Sequence, residues 1–270
     1  MIEIEIQKDE RGKITVGRID HLSASTVMSM KTCGRQVYFQ KIRGIPNKTQ
    51  YSKTVFGLAI HHALEVWGRT KIEGRPIKLG DVIKEFHKYF DEHYKEITVW
   101  GTDTYEQLSL QGEVALDLFF KKFGKELKPA QVECGFVINR GENKLPVIGF
   151  QDLITEDDCI YDYKLGKRAT PAKYIGNMSI YAWDYLRKTG AFPKEVATLS
   201  VKWRVCNKQD YVADWEKHVI PVDMNYIKYV ESELDDTEKM INAGIFPRAE
   251  AGCGLCRNCG YKEICGAIVL

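Results

Sequence analysis

The chain has 270 residues, 44% of them hydrophobic, with 39 basic and 37 acidic side chains and a formal net charge of +2. That is enough apolar material to bury a sizeable core, and it excludes a protein coated in basic residues. No run approaches the roughly 18 consecutive apolar residues of a membrane span, and the start, "MIEIEIQKDE", is charged from its third residue, unlike a secretory signal. A cytoplasmic protein with no membrane partner is the expectation. In that reducing compartment the eight cysteines suit metal ligation better than disulfides.

In chain order, "IEIEI" and "ITVGRI" nearly alternate and predict an N-terminal hairpin within 1–20. "LSAS" offers Ser23 or Ser25 as the N-cap of a helix through "TVMSMKTCGRQVYFQKI", which carries Cys33. Further helices are predicted over about 52–70, 80–95, 104–127, 172–188 and 223–243. Between them "AQVECGFVI", "LPVIGFQDLI", "CIYDYKL", "VATLSVKWRV" and "YVADWEKHVI" have the pattern of strands. Strands grouped in the middle with helices on both sides predict one mixed α/β domain spanning 1–270. Cys33, Cys134, Cys159 and Cys206 are scattered, and each reads first as a buried small hydrophobe.

Charge is uneven along the chain. Between Asp20 and Glu65 there is no acid, while Lys31, Arg35, Lys41, Arg43, Lys48 and Lys53 all fall there. A second acid-free interval, Tyr163 to Trp183, holds Lys164, Lys167, Arg168 and Lys173. Two basic surfaces able to follow a phosphate backbone are one reading; ordinary solvated faces are the other.

The segment "PVIGFQDLITEDDCIYDYKLGK" reads as two antiparallel strands around the turn "TEDD". Asp162 and Lys164 are two apart and share a face. A three-residue turn centred on Asp157 places Asp152 opposite Asp162, whereas a slip of one residue sends Asp152 to the other face. Carboxylates that close repel unless one is protonated or a cation lies between them. Oxygen ligands of this kind suit Mg²⁺ or Mn²⁺, and a neighbouring lysine suits charge building on a phosphate. An exposed hairpin with ordinary surface charges is the alternative. Near the C-terminus, "CGLCRNCGYKEIC" packs four cysteines into thirteen residues. They suffice for a self-contained site, but five residues separate the last pair where ferredoxins have three, and four thiolates also suit zinc.

"GFQD" followed by "DYKLGK" resembles the core of RecB-like nucleases in the PD-(D/E)XK superfamily. "LSASTVMSMKTCGRQVYFQ", "GLAIHHALE", "NMSIYAW" and "CRNCGYKEIC" are similar, in order, to that family's opening helix, its histidine helix, its Q-x-x-x-Y helix and its C-terminal cysteine motif. Asn177 stands where the family has glutamine, Gly34 where it has proline, and Leu165 where it has threonine. The resemblance implies a restriction-endonuclease-like α/β fold, a central mixed sheet flanked by helices with a C-terminal iron-sulfur segment. It implies a helical segment over 22–70, a catalytic core over 129–220 and a cluster segment over 250–265.

The resemblance further implies that His61, Asp152, Asp162 and the main-chain carbonyl of Tyr163 hold the metal. Gly57, four residues before His61, selects it over His62. Lys164 is then the catalytic lysine with Asp152 and Asp162, and Arg35, Lys173, Asn177 and Tyr181 meet DNA. Cys33, Cys256, Cys259 and Cys265 are the implied ligands of a 4Fe-4S cluster, with zinc as rival and Cys253 spare. The implied activity is exonucleolytic cleavage of DNA strands or ends in recombination, repair or phage DNA processing. Two alternatives stand beside it: a CRISPR-associated exonuclease that trims new spacers, and an inactive DNA-binding scaffold beside a helicase. No G-x-x-x-x-G-K-[ST] motif occurs, so unwinding would fall to a helicase or recombination partner.

Overall fold

The computed structural model of the chain describes residues 19–166, 170–206 and 209–266. The expected N-terminal hairpin lies, except for Ile19 and Asp20, outside these residues, as do Lys167 and Arg168. In chain order the described elements begin with α1 (Ala24–Val37), a π-helical turn (Tyr38–Ile42), α2 (Ser52–Ile72), α3 (Leu79–His93) and α4 (Tyr105–Lys122). Then come β1 (Pro129–Ile138), β2 (Val147–Thr155), β3 (Cys159–Lys164), α5 (Pro171–Thr189), β4 (Glu195–Cys206), β5 (Gln209–Val219), α6 (Met224–Asn242) and α7 (Lys262–Cys265). The chain divides into two compact units, Met1–Thr49 with Val137–Gly149 and Lys228–Leu270, and Gln50–Phe136 with Phe150–Ile227.

The second unit is built on a five-stranded sheet in the order β1-β2-β3-β4-β5. β2 and β3 are antiparallel, β3 and β4 parallel, β4 and β5 antiparallel, so the sheet is mixed as expected. The parallel step needs a crossover, and α5 supplies it. On α2, Val55, Phe56, Ala59, Ile60, Ala63, Leu64 and Trp67 recur three and four residues apart. They pack with Phe86, Phe90, Phe119, Tyr163, Leu199 and Trp215 in one core. Buried polar groups find partners there: the Trp215 indole donates to the Ala115 carbonyl at 2.7 Å, and Gln111 Oε1 accepts from the Val212 N–H at 2.6 Å.

In the first unit Ser23 is the cap of α1, its hydroxyl accepting from the Thr26 N–H at 3.2 Å. The helix expected through Cys33 is broken there, where φ is −162° and ψ 90°. The break lets Gly34 approach Pro247 so closely that a Cβ would lie 2.8 Å from Pro247 Cδ and 2.9 Å from its nitrogen. Arg35 N–H donates to the Pro247 carbonyl at 3.2 Å. Phe39 stacks on Tyr261 with centroids 5.4 Å apart, Tyr38 meets Phe246 at 5.3 Å, and the Tyr261 hydroxyl donates to the Ile45 carbonyl at 3.0 Å. The segment from Phe246 to Tyr261 is thereby packed onto α1 and the π-helical turn. Of the scattered cysteines, Cys159 is buried as expected, but Cys206 is exposed and Cys134 and Cys33 are only partly buried. Cys206 ends β4 at the tip of the β4–β5 hairpin, beyond the reach of the core.

Helices α3 and α4 meet at Gly112, where a Cβ would overlap the ring of the fully buried Phe86. Alanine at 112 gains about 1 kcal/mol of helix propensity but overpacks a closed site at a cost of about 1–3 kcal/mol. The Gly112→Ala protein should therefore lose up to about 2 kcal/mol of stability. An unaltered urea midpoint would show that Phe86 can move aside.

Candidate active site

The turn between β2 and β3 is Glu156–Asp158, with Asp158 at φ 63° and its N–H donating to the Thr155 carbonyl at 3.1 Å. Leu153 lies opposite Tyr161 and Ile154 opposite Ile160. Carried one residue further, that register aligns Asp152 with Asp162, as the spacing around Asp157 predicts. There the ladder gives way: the Tyr163 N–H donates to Asp152 Oδ2 at 2.7 Å. His61 Nδ1, from α2, is 3.5 Å from the same oxygen. Among the described residues, His61, Glu133 and Asp152 form a group whose ligand atoms all lie within 4.8 Å of one another. They line a pocket of about 450 Å³ together with Lys164 and Tyr163.

Asp162 stands beside this group. Its Oδ2 is ion-paired with Lys164 and its Oδ1 accepts from the Tyr181 hydroxyl at 3.3 Å. Burial, then the neighbouring Asp152 charge, pushes the Asp162 carboxyl upward. Burial acts to lower Lys164, but Asp162 and Asp152 outweigh it and hold the ammonium above its usual range. Lys164 is therefore a fixed positive charge at neutral pH. Glu133 is pushed up to about 7, first by burial and then by Asp152. Two or three carboxylates with one imidazole leave an excess of negative charge with little water to screen it. A hard divalent cation fits such a donor set.

A sequence model of the PD-(D/E)XK nuclease superfamily matches residues 21–266. The chain belongs to the PD-(D/E)XK nuclease superfamily. A solved structure from Eubacterium rectale, named as a candidate exonuclease, superposes with a TM-score of 0.55 at 12% identity, over 88% of this chain and 87% of that one. This likeness is one of fold. SSO0001 (TM-score 0.39, 14% identity, 95% and 90% covered) and LHK-Exo in complex with dAMP (0.28, 12%, 72% and 94%) align too loosely to carry an argument. No curated protein matches the chain.

For this PD-(D/E)XK chain the expected site residues are distributed as follows. His61, Asp152, Tyr163 and Lys164 share the pocket, and His62 turns instead to Glu85 at 3.6 Å. Tyr181 is buried against Asp162, Asn177 is half-buried, and Lys173 is exposed with its ammonium 5.6 Å from the Tyr174 ring. Tyr174 in turn lies 5.0 Å from Lys164 Nζ. Glu133 was not among the expected residues. It sits in β1 at φ 46°, a conformation that turns its side chain out of simple alternation. A lone acid in the otherwise uncharged "PAQVECGFVI" was the available signal.

The acid-free interval is no free basic track. Lys31 pairs with Glu233, Lys53 lies 3.1 Å from Asp103, and Lys41 donates to Thr26 Oγ1 at 2.6 Å. Arg35 lines a different pocket, one formed by Cys33, Cys256, Cys259 and Cys265 with Phe39 and Tyr261. Its buried Nε has no hydrogen-bond partner among the described residues. Burial, followed by Cys253, Cys33, Cys259 and Cys265, pushes the Cys256 thiol up. Among the described residues no three cysteine sulfurs fall within 4.8 Å of one another. Around one tetrahedral zinc, with Zn–S of about 2.3 Å, sulfurs sit about 3.8 Å apart.

The raised Glu133 carboxyl has a consequence for pH. Between the ordinary glutamate value of about 4.3 and about 7, the metal-free folded protein holds a proton that the unfolded chain has released. That contribution to stability is full below the window and lost as pH rises through it. A cation binding at Glu133 replaces the proton, so the rise in Tm on adding Mg²⁺ should be larger at pH 8 than at pH 6. The Glu133→Gln protein should show little of this difference. Equal rises at both pH values in the native protein would remove Glu133 from the ligand set.

Proposed function

We propose that the protein is a metal-dependent deoxyribonuclease that hydrolyses phosphodiester bonds from the ends of DNA. The single observation that carries this reading is the convergence of His61, Glu133 and Asp152 in one pocket beside the protonated Lys164. Mg²⁺ or Mn²⁺ bound to these side chains, with Asp162 alongside, would supply charge to the phosphate and acidity to water. Lys164 then stabilises the negative charge that builds on the phosphate oxygens. Asp162 holds the ammonium in place, and the Tyr181 hydroxyl holds Asp162. A reducing cytoplasm and a role in recombination, repair or phage DNA processing complete the reading, with a helicase as the partner that exposes ends.

The cysteine pocket is read as the seat of a 4Fe-4S cluster held by Cys33, Cys256, Cys259 and Cys265. Its support is the common pocket of the four thiols and the unpartnered buried N–H of Arg35, which suits an anionic occupant.

Asp152→Ala and Lys164→Ala should each lower the rate on end-labelled single strands with Mg²⁺ or Mn²⁺ by about 100-fold or more, with unchanged circular dichroism. Native-like cleavage by either variant would sink the assignment. Protein purified without oxygen should be brown, with about four irons and four sulfides per chain, and Cys33→Ser should bleach it. A colourless protein with one zinc would replace the cluster by the rival metal.

A further inference from the structure

The pocket that holds the acidic group has a wall that hydrolysis does not use. β3 pairs with β4 only as far as Lys164 opposite Ser200, so β4 continues past the catalytic lysine on the support of β5 alone. A bulge between Lys202 and Trp203 interrupts that support. Trp203 lines the pocket there with Lys53, Leu58 and Leu165. Its Nε1–H donates to the Leu165 carbonyl at 2.8 Å, which fixes the plane of the ring. The Lys53 ammonium lies 4.5 Å from the ring centroid, and Leu58 is 47% exposed. A rigid aromatic face, an exposed leucine and a cation beside a phosphodiester-cleaving group match the parts of a nucleotide: base, sugar and phosphate.

Size narrows the occupant. About 450 Å³ falls in the range of small-molecule pockets, ~300–1,000 Å³, which accommodates one nucleotide and not a duplex. Aromatic side chains bind unpaired bases of any identity by stacking. The cation–π contact of Lys53 on Trp203, both half-buried, is no stronger than a base stack, so a base can take the place of the ammonium. Lys53, whose ammonium also lies 3.1 Å from Asp103 Oδ1, then exchanges the ring for a phosphate while keeping that carboxylate, since an ammonium has three donors.

We propose that Trp203 and Lys53 form a subsite for the unpaired terminal nucleotide, its base against the indole and its phosphate on the ammonium. The proposal rests on the nuclease reading above and deepens it. Duplex ends must fray before they enter, and cleavage falls next to the end because the pocket admits one unit.

The test uses the intact protein with Mg²⁺ and two single-stranded oligonucleotides, one normal and one whose terminal residue is an abasic tetrahydrofuran, each offered at the 5′ and 3′ end. The native protein should show a KM about tenfold higher for the abasic end, with kcat changed far less. Trp203→Leu should raise KM on the normal end by a similar factor and no longer distinguish the two, and Trp203→Phe should restore the distinction. Lys53→Ala should raise KM on both.

Equal KM for normal and abasic ends in the native protein, or an equal rise for both in Trp203→Leu, overturns the subsite while leaving the nuclease reading intact. Failure of the native protein to cut either oligonucleotide overturns both. Should Trp203→Leu not fold, 2-aminopurine reports the contact in the native protein with Ca²⁺ in place of Mg²⁺. Quenching of the terminal probe with none at an internal position supports the stack, and absence of terminal quenching overturns it.

Discussion

Burying Asp152 and Asp162 on neighbouring strands is the constraint to which the rest of the second unit answers. They are 8% and 2% exposed, so water can stabilise neither charge to any extent. A buried carboxylate without partners costs several kcal/mol, and each neighbour meets part of that cost. The Tyr163 N–H goes to Asp152 in place of a ladder bond, and Lys164 and Tyr181 go to Asp162. The apolar stripe of α2 serves the same end, because packing Ile60 and Leu64 fixes the helix that presents His61. What remains unmet is the negative charge shared by Asp152 and Glu133, a deficit that a bound cation would meet.

Much of this was legible before the coordinates because it depends on local rules. The apolar spacing of α2, α5 and α6 marks helices to within a few residues, and the β2–β3 register is the one of the two sequence-allowed registers that a three-residue turn at Asp157 gives. Glu133 was not legible, since its place depends on one residue leaving the extended region, and alternation arguments assume that none does. Trp203 was hidden likewise by a bulge in β4. The two compact units left no trace in composition: three of their four boundaries fall within β1, β2 and α6, where no linker is needed, and the fourth at Thr49 just before α2. Lys31 and Lys53 read as a free basic run because their partners, Glu233 and Asp103, lie far along the chain.

The first unit solves a different problem, joining the segment from Phe246 to Cys265 to α1. Aromatic contacts do so before any inorganic group is considered: Phe39 on Tyr261, Tyr38 on Phe246, and Gly34 against Pro247. These bring Cys33 into one pocket with Cys256, Cys259 and Cys265. A group bound to all four would close a loop of about 220 residues, a crosslink worth about 5 kcal/mol by chain entropy. The packing determines where the sulfurs meet, and the crosslink would then hold the arrangement.

Charge pairing has a consequence for substrate choice. A protein that tracks duplex DNA neutralises many phosphates at once, and its affinity comes from the counterions released. Here the net charge is +2, Lys31 is paired with Glu233, Lys41 is drawn into a contact with Thr26, and Lys53, beside Asp103, belongs to the pocket rather than to an open surface. Little of the basic interval is left to follow a backbone. On the proposed nuclease reading, affinity would come from a few contacts within the pocket, with Lys164 placed for a phosphate and Trp203 for a base. Such contacts require an unpaired nucleotide that can leave its neighbours, and strand ends supply one at the least cost in unstacking. Balanced surface charge and a pocket the size of one nucleotide thus favour the same substrate.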